Sequence, residues 1–184
     1  LLENAVPLET PSIAALAKSG GSFFAGLGIS IGSSAPVLAG VQSSIARGKF
    51  LDAIEMCDRL IDLQRDLSTR TSVDTLFLRG CALYAMARSF VKGYQKPQRI
   101  LNFLESADCF RDIVNAMSPG MLRGDIFEKE MWTFASVNQG AAEWQGGQRT
   151  QAIKVLRAAV RTSPGCVQAR ALLTLALMVS GTVK

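Results

Sequence analysis

The C-terminal third of the chain has small residues at helical intervals and a proline that closes the run. In residues 146–164, GGQRTQAIKVLRAAVRTSP, a glycine pair is followed by Ala152, Leu156 and Ala159 and then by Pro164. These alanines and the leucine share one stripe of a helix, while the lysine and arginines between them face water. Proline is tolerated only where no further helical N–H is needed. The run therefore predicts an amphipathic helix that lies close to a neighbouring helix, between a glycine turn and a proline stop.

Similar turn signals divide the rest of the chain after Pro36 into helices. Gly48, the Ser-Pro-Gly run at 118–120 and the Gly-Gly pair at 146–147 each interrupt an apolar pattern of helical period. No segment alternates between apolar and polar residues as a half-buried strand would. The predicted fold class is all-α. The predicted helices cover residues 36–48, 50–67, 72–91, 97–117, 125–145, 149–162 and 167–179.

The N-terminal region has a different character. Residues 1–34 are rich in glycine and serine, which predicts an irregular arm with a short helix over about 11–18, followed by a helical domain over 35–184. Residues 19–46 carry no charge, so a transmembrane segment is one interpretation. The glycine and serine content favours the other, an arm laid on a partner or on the domain's own groove. Because the chain starts at Leu1, we expect that a leader or longer precursor was removed, or that the chain was trimmed.

Composition and charge point to a partner. The 184 residues are 48% hydrophobic and 19% charged, with a mean hydropathy of +0.22, so some apolar surface is expected to meet a partner or a membrane. The net charge is +5, and no acidic residue follows Glu143. A basic end of this kind favours an acidic partner or an anionic membrane surface. The predicted basic surface comprises Arg149, Lys154, Arg157, Arg161 and Arg170.

The sequence offers no credible catalytic site. Residues 28–32, GISIG, match the G-x-S-x-G pattern of a nucleophilic serine, but the chain has no histidine to take the Ser30 proton and no predicted strand before it. Carboxylates at helical spacing, such as Asp108 and Asp112, are explained by a solvated helix face. No phosphate-binding loop or dinucleotide fingerprint is present. We therefore predict that the protein is not an enzyme and holds no cofactor or metal.

The cysteines do not form a metal-binding motif. All four lie far apart in apolar helical stretches, and no C-x-x-C pair occurs. Free cysteines in such settings behave as small hydrophobic residues. Buried thiols are thus favoured over disulfides and metal ligands at Cys57, Cys81, Cys109 and Cys166.

Taken in pairs, the helices form a repeat that resembles the tetratricopeptide repeat, a helix–turn–helix unit. The match is carried by Gly140, Gly147, Ala152, Leu156, Ala159 and Pro164. Part of this spacing recurs at Gly48, Ala53, Cys57 and Leu60. The resemblance covers about residues 34–184 and is strongest in the last third. It departs from the family at Ser136, Gln139 and Glu143, where large apolar or aromatic side chains are common.

The resemblance implies an α-solenoid of about three to four antiparallel helix pairs. It also implies a concave groove lined by the first helix of each pair. The corresponding residues are Phe77, Cys81, Tyr84, Phe134, Val137, Ala141, Trp144, Ala171, Leu175 and Met178. Because these residues are mostly apolar, an apolar helix or extended segment fits such a groove better than an acidic chaperone tail, and residues 19–34 are one candidate. The alternative is that several of these side chains belong to the core between helices.

The last predicted helix is apolar on both sides. Leu173 and Leu177 lie on one side of residues 167–179, and Leu175 and Met178 lie on the other. Two interpretations remain open: the chain is truncated before its next helix, or this helix docks on another subunit or on lipid.

We expect a non-catalytic scaffold subunit or assembly factor of a membrane-associated, multi-subunit complex in an organelle, chloroplast or mitochondrion, such as a photosynthetic or respiratory complex. One alternative is a soluble, cytoplasmic adaptor that binds peptides. The other is an RNA-binding helical-repeat protein. Nucleic acid is the less favoured partner because the basic residues lie mainly on outward faces with only Trp144 as a nearby aromatic.

Overall fold

The computed structural model describes residues 35–66, 73–90, 96–117 and 126–181, and the predicted arm over 1–34 lies outside these ranges. The described residues form seven helices and no strand, and 89% of them are helical, which confirms the all-α prediction. The described helix ends lie within two residues of the predicted ones. The helices are α1 (Ala35–Ala46), α2 (Phe50–Asp66), α3 (Val73–Ser89), α4 (Lys96–Ala116), α5 (Ile126–Gln145), α6 (Arg149–Thr162) and α7 (Val167–Val179).

Glycine and proline end the helices where the sequence indicates. Gly147 lies between α5 and α6 with φ of +88°, and Gly48 lies between α1 and α2 with φ of +74°. Side chains are disfavoured at such φ values, so glycine suits both positions. At the other end of α6, the Ser163 N–H donates to the Ala159 carbonyl, and Pro164 follows. The turn and the stop predicted for residues 146–164 are confirmed.

Helices α5 and α6 lie close together and run antiparallel. A Cβ atom at Gly140 would lie 2.7 Å from Cγ of Leu156, so only glycine allows this approach. The hydroxyls of Thr133 and Ser163 are 2.9 Å apart. Thr133 lies seven residues before Gly140 on α5, whereas Ser163 lies seven residues after Leu156, so the two chain directions are opposite. The two helices therefore form a hairpin with a tight crossing.

This crossing makes Ala152 sensitive to size. Its side chain is fully buried on α6, whereas Ala39 on α1 is exposed. We expect Ala152→Leu to lower the free energy of unfolding by about 1–3 kcal/mol, because the added atoms force the packed helices apart. Urea denaturation of the wild type and the variant measures the effect. Ala39→Leu is the matched control and should change stability by less than about 0.5 kcal/mol. Equal stability of the two variants would contradict the tight packing of α6.

Apolar side chains are buried in three successive clusters. The first, around Val41, joins α1, α2 and α3. The second, around Phe110, joins α3, α4 and α5, and the third, around Ala159, joins α5, α6 and α7. The main helix contacts likewise join each helix to the next along the chain, with further contacts from α1 to α3 and from α5 to α7. In the described part of the chain, burial thus proceeds in chain order instead of around one centre.

The interface between α3 and α4 is built on a glycine and an aromatic ring. A Cβ atom at Gly80 would lie 2.8 Å from Cζ of Phe110, so the ring packs directly against the backbone of α3. Phe77 meets the same ring edge-on, with ring centroids 5.5 Å apart. The Ser106 hydroxyl donates a hydrogen bond of 2.8 Å to the Gly80 carbonyl. These contacts fix how far apart the two helices lie.

Candidate protein-binding surfaces

The ten residues predicted to line a groove divide into three groups by exposure. Burial places three of them in the core, namely Phe77, Val137 and Ala141. Five are half-buried, namely Cys81, Tyr84, Phe134, Trp144 and Leu175. Two are exposed on α7, namely Ala171 and Met178. The core alternative therefore applies to the first group, and only the other two groups offer surface to a partner.

Packing between helices explains why Phe77 and Val137 are buried. Phe77 belongs to the second core cluster, where Phe134 packs beside it. Val137 belongs to the third cluster, where Leu172 of α7 packs against it. The structure thus brings α3 and α5 together at one cluster and α5 and α7 together at the next. The helix faces that meet in these clusters are buried against each other and do not form a binding surface.

The half-buried aromatic residues each have an internal contact. Tyr84 packs edge-on against Phe103, with ring centroids 5.2 Å apart. Burial raises the pKa of the Tyr84 hydroxyl, and the nearby guanidinium groups of Arg88 and Arg99 oppose this shift. The guanidinium of Arg149 lies 5.5 Å from the centroid of the Trp144 ring, a cation–π contact. Trp144 therefore presents part of its ring next to a positive charge.

The predicted basic surface is exposed throughout. Lys154, Arg157 and Arg161 follow one another at helical spacing on the outer face of α6, and Arg149 and Arg170 are also exposed. Within the described ranges, none of the five forms a salt bridge. Because no acidic residue follows Glu143, these charges have no neutralising partner in their own part of the chain. Their field is available to attract an acidic group.

Helix α7 leaves an apolar stripe open to solvent. Its inner face is formed by Ala169 and Ala176, which are buried. On the opposite face, Val167 is 68% exposed and Met178 is 65% exposed. The α7 stripe is defined here as the exposed residues of that face, Val167, Ala171, Thr174 and Met178.

A row of buried polar side chains lies on α5, and its burial was not predicted from the sequence. Ser136, Gln139 and Glu143 are the three departures from the tetratricopeptide pattern, and each side chain is at most 2% exposed. Glu143 accepts hydrogen bonds from Arg111 of α4 at 3.0 Å and from Gln139 at 2.8 Å. Ser136 Oγ, Gln139 Oε1 and Glu143 Oε2 have no hydrogen-bond partner among the described residues. The spacing of three, then four, places these residues on one helix face, and this spacing could have indicated a shared environment.

A second polar network joins α2, α3 and α4. Arg79 donates to Asp58 at 2.6 Å and to the Cys109 sulfur at 3.3 Å. Burial alone would lower the pKa of Arg79, but these two hydrogen bonds outweigh it, so the pKa is raised and the guanidinium keeps its charge. The pKa of the Cys109 thiol is raised by burial, and the bond from Arg79 opposes this shift. The network links three helices, and its buried thiol is protonated at neutral pH.

The thiols follow the sequence prediction in part. All four cysteines are free, with Cys57 and Cys109 buried and Cys81 and Cys166 half-buried. Burial, with the Asp58 carboxylate adding to it, raises the pKa of Cys57 to about 12. Burial also raises the pKa of Cys81 to about 12. Cys57 and Cys81 are therefore protonated hydrophobic side chains at neutral pH.

Alkylation kinetics should reflect this protonation. With a pKa of about 12, only about one Cys57 thiol in 10⁴ is ionised at pH 8. Raising the pH from 7 to 9 increases that fraction about tenfold per unit but leaves it below about 1%. We expect iodoacetamide to modify the folded chain at Cys166 well before Cys57, as measured by peptide mass spectrometry. In guanidinium chloride both should react at similar rates, and fast modification of Cys57 in the folded chain would contradict its burial.

No group of histidine, cysteine, aspartate or glutamate side chains in the described ranges has the arrangement of a metal site. None of the described helices combines the length and the hydropathy needed to cross a membrane.

No protein-family model matches this chain, and no curated protein or solved structure shows significant similarity to it.

Proposed function

We propose that this chain is a non-catalytic helical-repeat scaffold that holds other protein subunits. The observation that carries the proposal is burial in chain order: each core cluster is made by three consecutive helices. An arrangement of this kind is typical of α-solenoids, whose repeats contact only their neighbours and present long surfaces to partners. The hairpin of α5 and α6, with its glycine crossing, supports the tetratricopeptide-like pairing.

The surfaces left open fit a binding role. The α7 stripe is solvent-exposed and apolar except at Thr174, and α6 and α7 carry five exposed basic side chains and no acidic one. Apolar residues beside unneutralised charge are a common composition of protein interfaces, where the apolar part supplies affinity and the charge supplies orientation. A partner with the opposite charge would be attracted to this end of the molecule.

The membrane-associated and organellar setting is the second part of the proposal. It is supported by the mean hydropathy of +0.22, the low charged fraction and the basic C-terminal third. In this setting the protein would act as a subunit or assembly factor attached to a larger complex. Fractionation of the source cells tests this part, because the chain should sediment with organelle membranes and be released together with other subunits by mild detergent.

Trp144→Ala tests the scaffold itself. Trp144 is half-buried at the end of α5, and tryptophans commonly dominate interface energies, so partner recovery should fall about fivefold or more. The measurement is quantitative mass spectrometry of partners that co-purify with the tagged chain in stoichiometric amounts, after nuclease treatment to remove complexes held by RNA.

Leu63→Ala serves as the matched control, since Leu63 is 55% exposed on α2, away from the predicted groove. Both variants should keep the helical circular dichroism of the wild type. Equal recovery from the wild type and Trp144→Ala would remove Trp144 from the binding surface. No stoichiometric partner with any variant would overturn the scaffold function.

A further inference from the structure

The α7 stripe has a geometry suited to one particular occupant. Its residues recur at spacings of four, three and four along the helix, so they form a straight line on the face opposite Ala169 and Ala176. The line runs the length of α7, from Val167 at its first residue to Met178 near its end. A surface that is straight, narrow and as long as a helix matches another helix.

The size of the side chains also favours a helix over lipid. Ala171 and Thr174 occupy the middle of the stripe, with Val167 and Met178 at its ends. Small central residues let a second helix approach closely, and the larger end residues then fill grooves on it. Helices that lie in a membrane surface instead carry tryptophan, phenylalanine or leucine on the apolar face, and the stripe has none of these.

Charge selects among possible helices. Arg170 lies beside the stripe on α7, and the neighbouring α6 carries Arg149, Lys154, Arg157 and Arg161. All five are exposed, and no acidic residue occurs on either helix. A second copy docked on this face would bring like charges together, which is unfavourable. A helix with carboxylates beside its apolar stripe would pair with Arg170 and be attracted by the field of the α6 bases.

We propose that the α7 stripe docks an acidic amphipathic helix of a partner protein, which packs against α7 as the next helix of the stack. This inference rests on the proposed scaffold function and specifies the chemistry of the partner that binds at α7. The partner helix places its apolar side chains along Val167, Ala171 and Met178, its carboxylates meet Arg170, and the exposed bases of α6 add to the positive field that attracts it.

The test uses the full chain and two synthetic peptides. The first peptide is an amphipathic helix with leucines on one face and glutamates on the flanks of that face, and in the second, lysines replace the glutamates. Isothermal titration calorimetry should show binding of the acidic peptide at least about tenfold tighter than that of the basic one. Raising the salt concentration should reduce this difference. Equal affinities, or no binding of either peptide, would overturn the proposal.

Matched variants locate the binding. Met178→Gln should weaken the acidic peptide about fivefold, whereas Leu51→Gln, at a site 70% exposed on α2, should not. Arg170→Glu should reduce the preference for the acidic peptide, whereas Arg47→Glu, at the exposed turn after α1, should leave it unchanged. If Met178→Gln has no effect while partners still co-purify with the chain, the docking site is wrong and the scaffold function stands.

Other occupants give distinct results, each of which would overturn the proposal. Binding to phosphatidylglycerol vesicles that Met178→Gln abolishes, without peptide binding, would assign the stripe to a membrane. A dimer in sedimentation velocity that the same variant dissociates would assign it to a second copy. A photo-crosslinking amino acid at position 178 that captures residues 19–34 of its own chain would assign it to the N-terminal arm.

Discussion

Replacing Phe110 with alanine is expected to lower the free energy of unfolding by about 3–5 kcal/mol, the cost typical of removing a fully packed aromatic ring. Phe110 is 1% exposed and meets Phe77 edge-on at 5.5 Å. It also packs against the backbone of α3 at Gly80. The variant therefore leaves a cavity between two helices that contact each other extensively, and their rigid backbones limit how far the cavity can close. Guanidinium denaturation followed by circular dichroism measures the loss.

Two companion variants distinguish cavity formation from a general effect on α4. Leu101→Ala lies on the same helix at a site 47% exposed, and should cost less than about 1 kcal/mol. Gly80→Ala should destabilise the wild type, because the new Cβ would lie 2.8 Å from the Phe110 ring. In the Phe110→Ala background the same change meets no ring, so its cost should shrink or reverse. Additive effects of Gly80→Ala and Phe110→Ala would contradict the observed contact.

The helices themselves could be predicted from local signals. Gly48 and Gly147 end helices with positive φ, and the stop at Pro164 follows from its missing N–H, so these boundaries depend on the residues at them. The stripe of Ala152, Leu156 and Ala159 is buried for the same reason, because helical spacing alone puts these residues on one face. Features that depend on a few neighbouring residues could therefore be predicted from the sequence.

The candidate binding surface could be predicted less well, because exposure depends on which helix covers which face. Phe77 and Val137 occupy positions that a groove would use, yet α4, α5 and α7 pack against them. Their apolar side chains suit a core and a docking surface equally, and periodicity does not distinguish the two. The exposed bases of α6 were easier to predict, since arginine and lysine are seldom fully buried.

The burial of the polar row on α5 also depends on helix packing and could not be predicted from the sequence. Ser136, Gln139 and Glu143 are polar residues at positions where the repeat pattern has apolar ones. Their polarity alone predicts that they are exposed to solvent. The structure buries all three, and Arg111, on the preceding helix, reaches Glu143 and supplies its compensating charge. That pairing spans 32 positions along the chain, so it follows from how α4 packs on α5, and no local signal contains it.

The pairing also makes Arg111 a sensitive position. Its guanidinium donates to Glu143 Oε1 at 3.0 Å and to the Asp108 carboxylate, and it is partly exposed, whereas the Glu143 side chain is fully buried. Arg111→Met keeps most of the apolar stem but leaves the Glu143 carboxylate with Gln139 as its remaining hydrogen-bond donor. Losing Arg111 leaves the buried Glu143 carboxylate without its compensating charge, so we expect a loss of about 3–5 kcal/mol in the free energy of unfolding.

A second substitution should reverse much of this loss. In Arg111→Met/Glu143→Leu, neither charge of the Arg111–Glu143 pair remains between α4 and α5, and replacing a buried ion pair by apolar residues is often close to neutral. The double variant should therefore be more stable than Arg111→Met alone by urea denaturation. Arg65→Met, which removes an exposed pair with Asp62 at 3.6 Å, is the control and should cost less than about 1 kcal/mol. If Arg111→Met and Arg65→Met lowered the free energy of unfolding equally, the Glu143 carboxylate would have to be stabilised by groups other than Arg111. The hydrogen bond from α4 would then contribute little to the stability of the buried polar row.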